Sequence, residues 1–321
     1  MIVQSRPLWQ RFAIFLVPLM AANILQALSG TVNAIYVGQL VGVDALAAVA
    51  VFFPILFFLL SFIIGLSSGS TVLIGQAWGA RNLVKVKQVA GTTLAGAIGL
   101  GLLVSLVGGI WTEQIMGLLG APDNIRALAV GYARIMLISM PGFFIFIVVT
   151  SVLRGVGDTI TPLFSLILSL LVTMLVTPAL IQGWFGLPQL GVNAAAFAFI
   201  AGFLTVLSFL FIYMSARRMP LAPDRVLLVA MLKPDIKLLG LILRLGVPAG
   251  LQMVVSSVSG IVIVGLVNRF GSDATAAYGA LGQVMNYVQF PAMSIGIAAS
   301  IFGAQAIGAG QVHQLGAITR T

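Results

Sequence analysis

Long apolar runs separated by short charged segments dominate the pattern of this 321-residue chain. The runs that contain no Asp, Glu, Lys or Arg are 12–43, 45–80, 88–112, 135–153, 159–216, 245–268 and 274–319. A helix needs about 20 apolar residues to cross the hydrocarbon of a bilayer, so most of these runs could cross it once. The run 159–216 is long enough for two helices, which the turn sequence 183–188 separates.

The runs are uniformly apolar rather than alternating, and this favours helices over strands. The pattern therefore predicts an all-α, polytopic transmembrane helical bundle of about eight helices. Soluble chains are about a quarter charged, whereas this one is 60% hydrophobic and only 7% charged. The predicted spans lie near 11–40, 45–78, 88–112, 127–152, 160–183, 191–215, 238–268 and 274–308.

The chain contains an internal sequence repeat. Spans seven and eight repeat spans one and two, with a one-residue slip at the loop between them. Repeated membrane spans are how many secondary transporters build two lobes around a central path. The matching residues are Pro18, Ser29, Gly30 and Val37 with Pro248, Ser259, Gly260 and Val267, then Gly42, Asp44, Gln76 and Gly79 with Gly271, Asp273, Gln305 and Gly308.

The repeat and the charges predict three parts. Residues 1–216 form a six-helix N-terminal lobe, the proline-containing and charged segment 217–237 is a cytoplasmic linker, and 238–321 begins a C-terminal lobe. Only two predicted spans follow the linker. We therefore expect the second lobe to be four helices short, as in a truncated chain or a natural fragment.

Positive charge sets the predicted orientation, because loops rich in Lys and Arg stay in the cytoplasm. With a cytoplasmic N-terminus, only Arg126 and Arg269 fall in outer loops. The sequence thus predicts a multi-pass plasma-membrane (inner-membrane) protein, and the net charge of +9 is a topology signal. We expect the lipid bilayer as a partner and no nucleic acid; the oligomeric state stays open.

Two short motifs suggest enzymes but lack the rest of the required chemistry. The segment 65–69 matches the G-x-S-x-G pattern of serine hydrolases, which needs a strand-to-helix turn and a base. The segment 155–158 is a glycine turn without the full phosphate-loop motif. The chain has no cysteine and one histidine, His313. No enzyme activity, cofactor or metal site is predicted.

Several motifs, in this order and spacing, resemble those of the multidrug and toxic compound extrusion (MATE) family in the multidrug/oligosaccharidyl-lipid/polysaccharide exporter superfamily. The resemblance implies a two-lobed MATE-type fold, whose members have twelve helices and expel organic, often cationic, compounds in exchange for sodium ions or protons. The motifs are Val37-Gly38 with Asp44–Ala48, Gly75–Arg81, Tyr132 with Arg134, Leu153–Thr159 before Thr161–Leu163, and Leu190–Val192 before Ala194–Ala196.

An ion-driven antiporter usually carries a carboxylate inside the membrane, and this sequence places none in a predicted span. The resemblance puts a family aspartate of span one at Asn33, fifteen residues after Pro18. The polar positions of span five fall on Thr173 and Thr177. A hydroxyl position of span six falls on Phe199, and the acidic residue of span seven falls on Ser256. Proton coupling through the first lobe is therefore doubtful.

The candidates for the substrate or ion pathway are Asn33, Gln26, Tyr36, Thr173, Thr177, Asn193 and Ser256. The alternative for Asn33 is an amide that only bridges two helices. Pro18 and Pro248 are candidate conformational bends, because a proline removes one backbone hydrogen bond of its helix. A static kink is the alternative for both prolines.

The leading functional hypothesis is a secondary active efflux transporter. It would export small organic compounds by antiport with sodium ions or protons, through alternating access between two lobes. One alternative is a lipid-linked saccharide flippase of the same superfamily. The other is an inactive transporter fragment.

Overall fold

The fold is that of a helical bundle. The computed structural model describes residues 8–120, 122–186, 188–217, 219, 221–267 and 272–320, and these ranges contain no β-strand. Short 3₁₀ turns lie at Trp184–Gly186 and Val312–Gln314. The helices are α1 Leu8–Leu40, α2 Val43–Gly79, α3 Leu83–Leu118, α4 Asp123–Gly155, α5 Ile160–Gln182, α6 Asn193–Ala216, α7 Arg225–Leu232, α8 Ile236–Val267, α9 Ser272–Gly308 and α10 Leu315–Arg320.

Within the described ranges, eight helices are long and apolar enough to cross a membrane: α1 to α6, α8 and α9. The prediction of eight spans is confirmed, and the observed helices extend a few residues beyond most predicted bounds. Span three was predicted to end at residue 112. Helix α3 continues to Leu118 but is kinked at Trp111, whose backbone is non-helical (φ −101°, ψ 18°).

Polar side chains cap the first turns of two helices, and glycines lie in the turns that follow helices. Asn82 accepts a hydrogen bond from the backbone N–H of Lys85 and caps α3. Asp158 accepts hydrogen bonds from the backbone N–H and the hydroxyl of Thr161 and so caps α5. Gly157 (φ 95°) and Gly183 (φ 75°) take left-handed conformations that favour glycine. The 155–158 turn is therefore a helix connection and not a phosphate loop.

Helix α4 is the centre of the first six helices, which we call lobe one, because it packs against α2, α3 and α6. Its Met140 and Phe144 are completely buried. Phe199, where the resemblance expects a hydroxyl, instead contacts Phe143 with ring centroids 4.8 Å apart. This position of α6 therefore belongs to an aromatic core.

The predicted linker contains a helix that the sequence reading did not predict. Helix α7 packs on α3, where Gly91 leaves room for Leu227 and Ala230. Asp224 caps α7 by accepting from the backbone N–H of Leu227, and it also forms an ion pair with Lys87 of α3. These contacts hold the segment against lobe one.

Candidate functional site

Helix α2 joins lobe one to the second repeat, α8 and α9. A Cβ added at Gly65 would lie 2.8 Å from the carbonyl oxygen of Gly246, and one at Gly250 would lie 2.8 Å from that of Ser61. Gly69 fits equally closely against the backbone of Ile242. Small residues four apart let membrane helices approach until their backbones touch. The 65–69 motif is thus a helix-packing surface and not a nucleophile turn.

The contact between α2 and α9 is reciprocal. A Cβ added at Gly79 would collide with the carbonyl oxygen of Gln305, and one added at Gly308 would collide with that of Gln76. In the sequence repeat, Gln76 corresponds to Gln305 and Gly79 corresponds to Gly308. When two copies contact each other through the same two positions, with each position meeting the other one on the partner copy, a twofold axis relates the copies. A pseudo-twofold axis therefore passes between α2 and α9.

We call the side of the bundle that carries Arg81, Lys85 and Lys87 the basic end. Two side-chain hydrogen bonds join the repeats toward this end. Gln305 donates from Nε2 to the carbonyl oxygen of Gly155, at 3.1 Å. Asn23 donates from Nδ2 to the hydroxyl of Ser294, at 3.0 Å.

The halves of α1 and α8 farther from the basic end are exposed on the sides that carry Leu28 and Thr31 of α1 and Val255 and Val258 of α8. The glycine crossings and the two hydrogen bonds lie nearer the basic end than these residues. The described parts of the two repeats thus pack closely toward the basic end and leave these surfaces free toward the other.

Three of the predicted site residues have buried oxygens without a hydrogen-bond partner: Asn33 Oδ1, Thr177 Oγ1 and Asn193 Oδ1. Asn33 and Thr177 are the two of them that belong to a pair of neighbouring spans, α1 and α5. The hydroxyl of Thr159 donates to the carbonyl oxygen of Phe15 at 3.1 Å, which fixes the register. Asn33 and Thr177 each follow that contact by 18 residues. At about 1.5 Å per residue, both lie at the same height, about 27 Å from it.

Thr173, another predicted site residue on α5, already has a hydrogen-bond partner. Its hydroxyl donates to the carbonyl oxygen of Ser169 at 2.9 Å and faces Gly202 of α6. Asn33 on α1 and Thr177 on α5 therefore have oxygens without a partner at the same height. An unpaired buried oxygen is costly, so these two atoms are candidate contacts for an ion or a ligand.

The other candidates lie in different places. Gln26 is exposed on α1 and Tyr36 is partly buried there. Asn193 begins α6, packs near Gly131 of α4 and has an unpartnered Oδ1. Ser256 is exposed on α8, in the second repeat. The structure thus does not gather all seven candidates into one site.

Helix α1 continues through Pro18 and α8 through Pro248, each as one helix. Sequence reasoning missed Asn23, Gly246 and the side-chain role of Gln305. The repetition of Gln76 as Gln305 and of Gly79 as Gly308 was a usable signal, because each glutamine lies against the glycine of the other copy.

The family comparison matches both copies of the repeat. The profile of the family described as MatE matches residues 18–179 and 248–321. The probable multidrug resistance protein YoeA of Bacillus subtilis is 44% identical over 99% of this chain and 68% of its own length. The multidrug export protein MepA of Staphylococcus aureus is 25% identical over 91% of this chain and 62% of its own. The chain thus spans about two thirds of the length of these relatives.

Solved structures share the fold. A transporter of the MOP superfamily from Pyrococcus furiosus superposes with a TM-score of 0.84 at 23% identity, covering 96% of this chain and 67% of that one. An outward-facing multidrug resistance MATE transporter gives a TM-score of 0.85 at 22% identity, with the same coverage. At this identity the likeness establishes the two-lobed architecture alone.

Proposed function

The chain belongs to the MatE family of multi-pass membrane transporters, and on that premise we propose that it is a secondary active efflux transporter for small organic, often cationic, compounds. It is not an enzyme, since members of this family move compounds without converting them. We propose the plasma membrane as its location, with the N-terminus and the basic end in the cytoplasm. The names of its relatives, which include multidrug resistance and multidrug export proteins, support the substrate class.

The reciprocal contact of Gly79 and Gly308 with Gln305 and Gln76 carries this proposal. Alternating access needs two similar halves that can separate at one end while they close at the other. The pseudo-twofold axis supplies the similar halves. The glycine crossings toward the basic end supply a closure that excludes substrate from the cytoplasm.

We further propose sodium as the coupling ion through lobe one. Asn33 and Thr177 offer an amide and a hydroxyl oxygen at the same height, and neutral oxygens are suitable ligands for a hard cation. Neither group takes up a proton near neutral pH. A carboxylate at position 33 would serve protons as well, whereas asparagine leaves only the cation.

The test is gradient-driven export of a fluorescent organic cation from liposomes that contain the purified chain. We expect an inward sodium gradient to drive export. Asn33→Ala and Thr177→Val should each raise the sodium concentration for half-maximal export roughly tenfold, since losing one such polar contact costs about 1–3 kcal/mol. Thr173→Val is the matched control, because the Thr173 hydroxyl already has a partner.

The outcomes separate the parts of the proposal. Export driven by a pH gradient alone, and unaffected at Asn33 and Thr177, would contradict the sodium site. The absence of any gradient-driven export from correctly folded chain would contradict the transport activity itself.

A further inference from the structure

An apolar pocket lies in lobe one toward the basic end. Its volume is about 290 Å³. Helices α3, α4, α6 and the linker helix α7 contribute its walls, and every lining side chain is apolar, including Ala90, Val149, Leu210 and Met231. The proposed transport cycle makes no use of this space.

The pocket opens between α6 and α7. Phe211 and Leu228 line the pocket yet are 59% and 50% exposed. A shallow depression continues over Ser208 and Ile212 on the same surface of α6. Because α6 is a membrane span, this surface faces the hydrocarbon of the leaflet next to the basic end.

Two cations lie near this mouth at the level where the spans end. Arg225 begins α7, one helical turn before Leu228. Arg217 caps α6, one turn beyond the lining residue Met214, and its guanidinium lies 5.9 Å from the centre of the Tyr213 ring. In the described part of the chain neither arginine has an ion-pair partner.

The only carboxylate described at this edge is already paired. Asp224 lies next to Arg225 and forms an ion pair with Lys87. The pair is neutral as a whole, so the mouth keeps a net positive charge. An anionic group is therefore favoured just outside an apolar cavity.

We propose that this pocket binds one acyl chain of an anionic phospholipid of the adjacent leaflet, with the phosphate held by Arg217 and Arg225. Leaving the bilayer gives an acyl chain no hydrophobic gain, because the surrounding lipid is equally apolar. Occupancy depends instead on filling a cavity whose walls otherwise lose dispersion contacts, and on the charge-assisted hydrogen bonds of the phosphate. Basic pockets at the cytoplasmic ends of spans recognise lipid headgroups in this way.

An organic cation fits the pocket poorly. The lining offers no acceptor side chain, and the two guanidinium groups repel positive charge. The volume is also at the lower limit of drug-binding pockets, which begin near about 300 Å³. A single flexible chain suits this space better than a bulky ring system.

The experiment uses the full chain in vesicles of phosphatidylcholine that contain a small fraction of photoreactive phosphatidylglycerol, with a diazirine at the end of one acyl chain. After illumination, labelled residues are mapped by mass spectrometry. We expect labels on Leu94, Val149 and Leu210, and at least fivefold less labelling with a photoreactive phosphatidylcholine.

Two pairs of variants separate the tail from the headgroup. Leu228→Trp blocks the mouth and should remove labelling inside the pocket. Leu232→Trp is its control, one turn further along α7 on a residue that is 82% exposed and does not line the pocket. Arg225→Gln should lower labelling about fivefold, the effect of one cation near an anionic headgroup, whereas Lys237→Gln on α8 should leave it unchanged.

The mouth residues are exposed, so these substitutions spare the core, and a monodisperse elution profile confirms folding. Three results would overturn the proposal. The first is equal labelling of the pocket and of the lipid-facing Leu102 and Leu106. The second is labelling that survives Leu228→Trp, and the third is no preference for the anionic probe over the zwitterionic one.

Discussion

At the scale of single residues, some polar side chains inside this bundle are paired, and others have no partner among the described residues. Ser70 and Thr93 satisfy each other at 2.8 Å, and Thr150 bonds within its own helix. Asn33 and Thr177 find no such partner. Because an unpaired polar atom is costly in a low-dielectric interior, these two atoms are where we propose that the coupling ion binds.

Asp224 gives a residue-level prediction with a defined pH range. The hydrogen bond from Lys87, followed by that from the Leu227 backbone, lowers the pKa of Asp224. A carboxyl group whose pKa is lowered in the folded state stabilises that state above its ordinary pKa of about 3.9, and this contribution disappears as the pH falls through the lowered value.

We therefore expect Asp224→Asn to lower the thermal unfolding midpoint slightly at pH 7 and to have no effect at pH values below the lowered pKa. The loss should stay below about 1 kcal/mol, because the ion pair is partly exposed to water. Asp235→Asn is the control, since Asp235 also accepts hydrogen bonds from the start of a helix but forms no ion pair among the described residues. An equal loss at both pH values would refute the role of the Lys87 pair.

At the scale of whole helices, α2 is the element that holds the two repeats together. It carries two small-residue motifs, 65–69 and 75–79, which meet α8 and α9 in turn. A side chain at Gly65, Gly69 or Gly79, where the nearest atom is a backbone carbonyl oxygen, would force the helix backbones apart. The crossings are therefore specific to glycine, for reasons of space and not of backbone conformation.

Gly79→Leu should open the basic end. The new side chain cannot fit beside the Gln305 carbonyl, so we expect a membrane-impermeant maleimide to label an introduced Ala304→Cys several times faster. Gly99→Leu is the matched control, because a Cβ at that helical glycine meets nothing within 4 Å. If the two glycine variants were labelled at the same rate, the closure would lie elsewhere.

We propose that Pro18 is a hinge of α1, and its test also belongs to the helix scale. Proline leaves the carbonyl four residues earlier without its helical donor, which makes bending easier at that point. Pro18→Ala should straighten α1, slow export and leave substrate binding intact.

Pro248→Ala tests whether the equivalent proline of the second repeat bends too. Helix α8 packs through Gly246 and Gly250 on either side of it, so we expect a smaller effect on export than at Pro18. Unchanged export and unchanged accessibility from both sides in Pro18→Ala would leave only the static kink.

For the molecule as a whole, the proposed alternating access requires the repeats to separate at the basic end. A disulfide across that end should therefore stop the cycle. The chain contains no cysteine, so any disulfide that forms in a double-cysteine variant joins the two introduced cysteines. A Cβ at Gly75 would lie 3.0 Å from the Cβ of Ala304, near the separation of about 3.5–4.5 Å in disulfides.

We expect the Gly75→Cys, Ala304→Cys double variant to lose export under oxidising conditions and to regain it on reduction. Each single variant serves as its control. Full export by the oxidised and fully cross-linked protein would exclude separation of the repeats at this point.

The apolar runs and the repeated motifs were enough to predict the eight spans found among the described residues and the segments that repeat each other. The length of an apolar run fixes a membrane helix because hydrocarbon supplies no partner for an open backbone. The sequence also identified Asn33 and Thr177 as candidate site residues, through the family resemblance and not through the hydrophobic pattern. Their lack of partners emerged only when the register of α1 and α5 was known.

Tertiary structure decided what lies between helices. Gly65 and Gly69 match a hydrolase motif in sequence, and only the position of Gly246 shows that they are a packing surface. Helix α7 lay in a segment too short and too charged for a span, and its fold depends on the space that Gly91 leaves on α3. Such contacts join residues that are far apart in the chain. The local periodicity of a sequence carries no information about the distance between two helices.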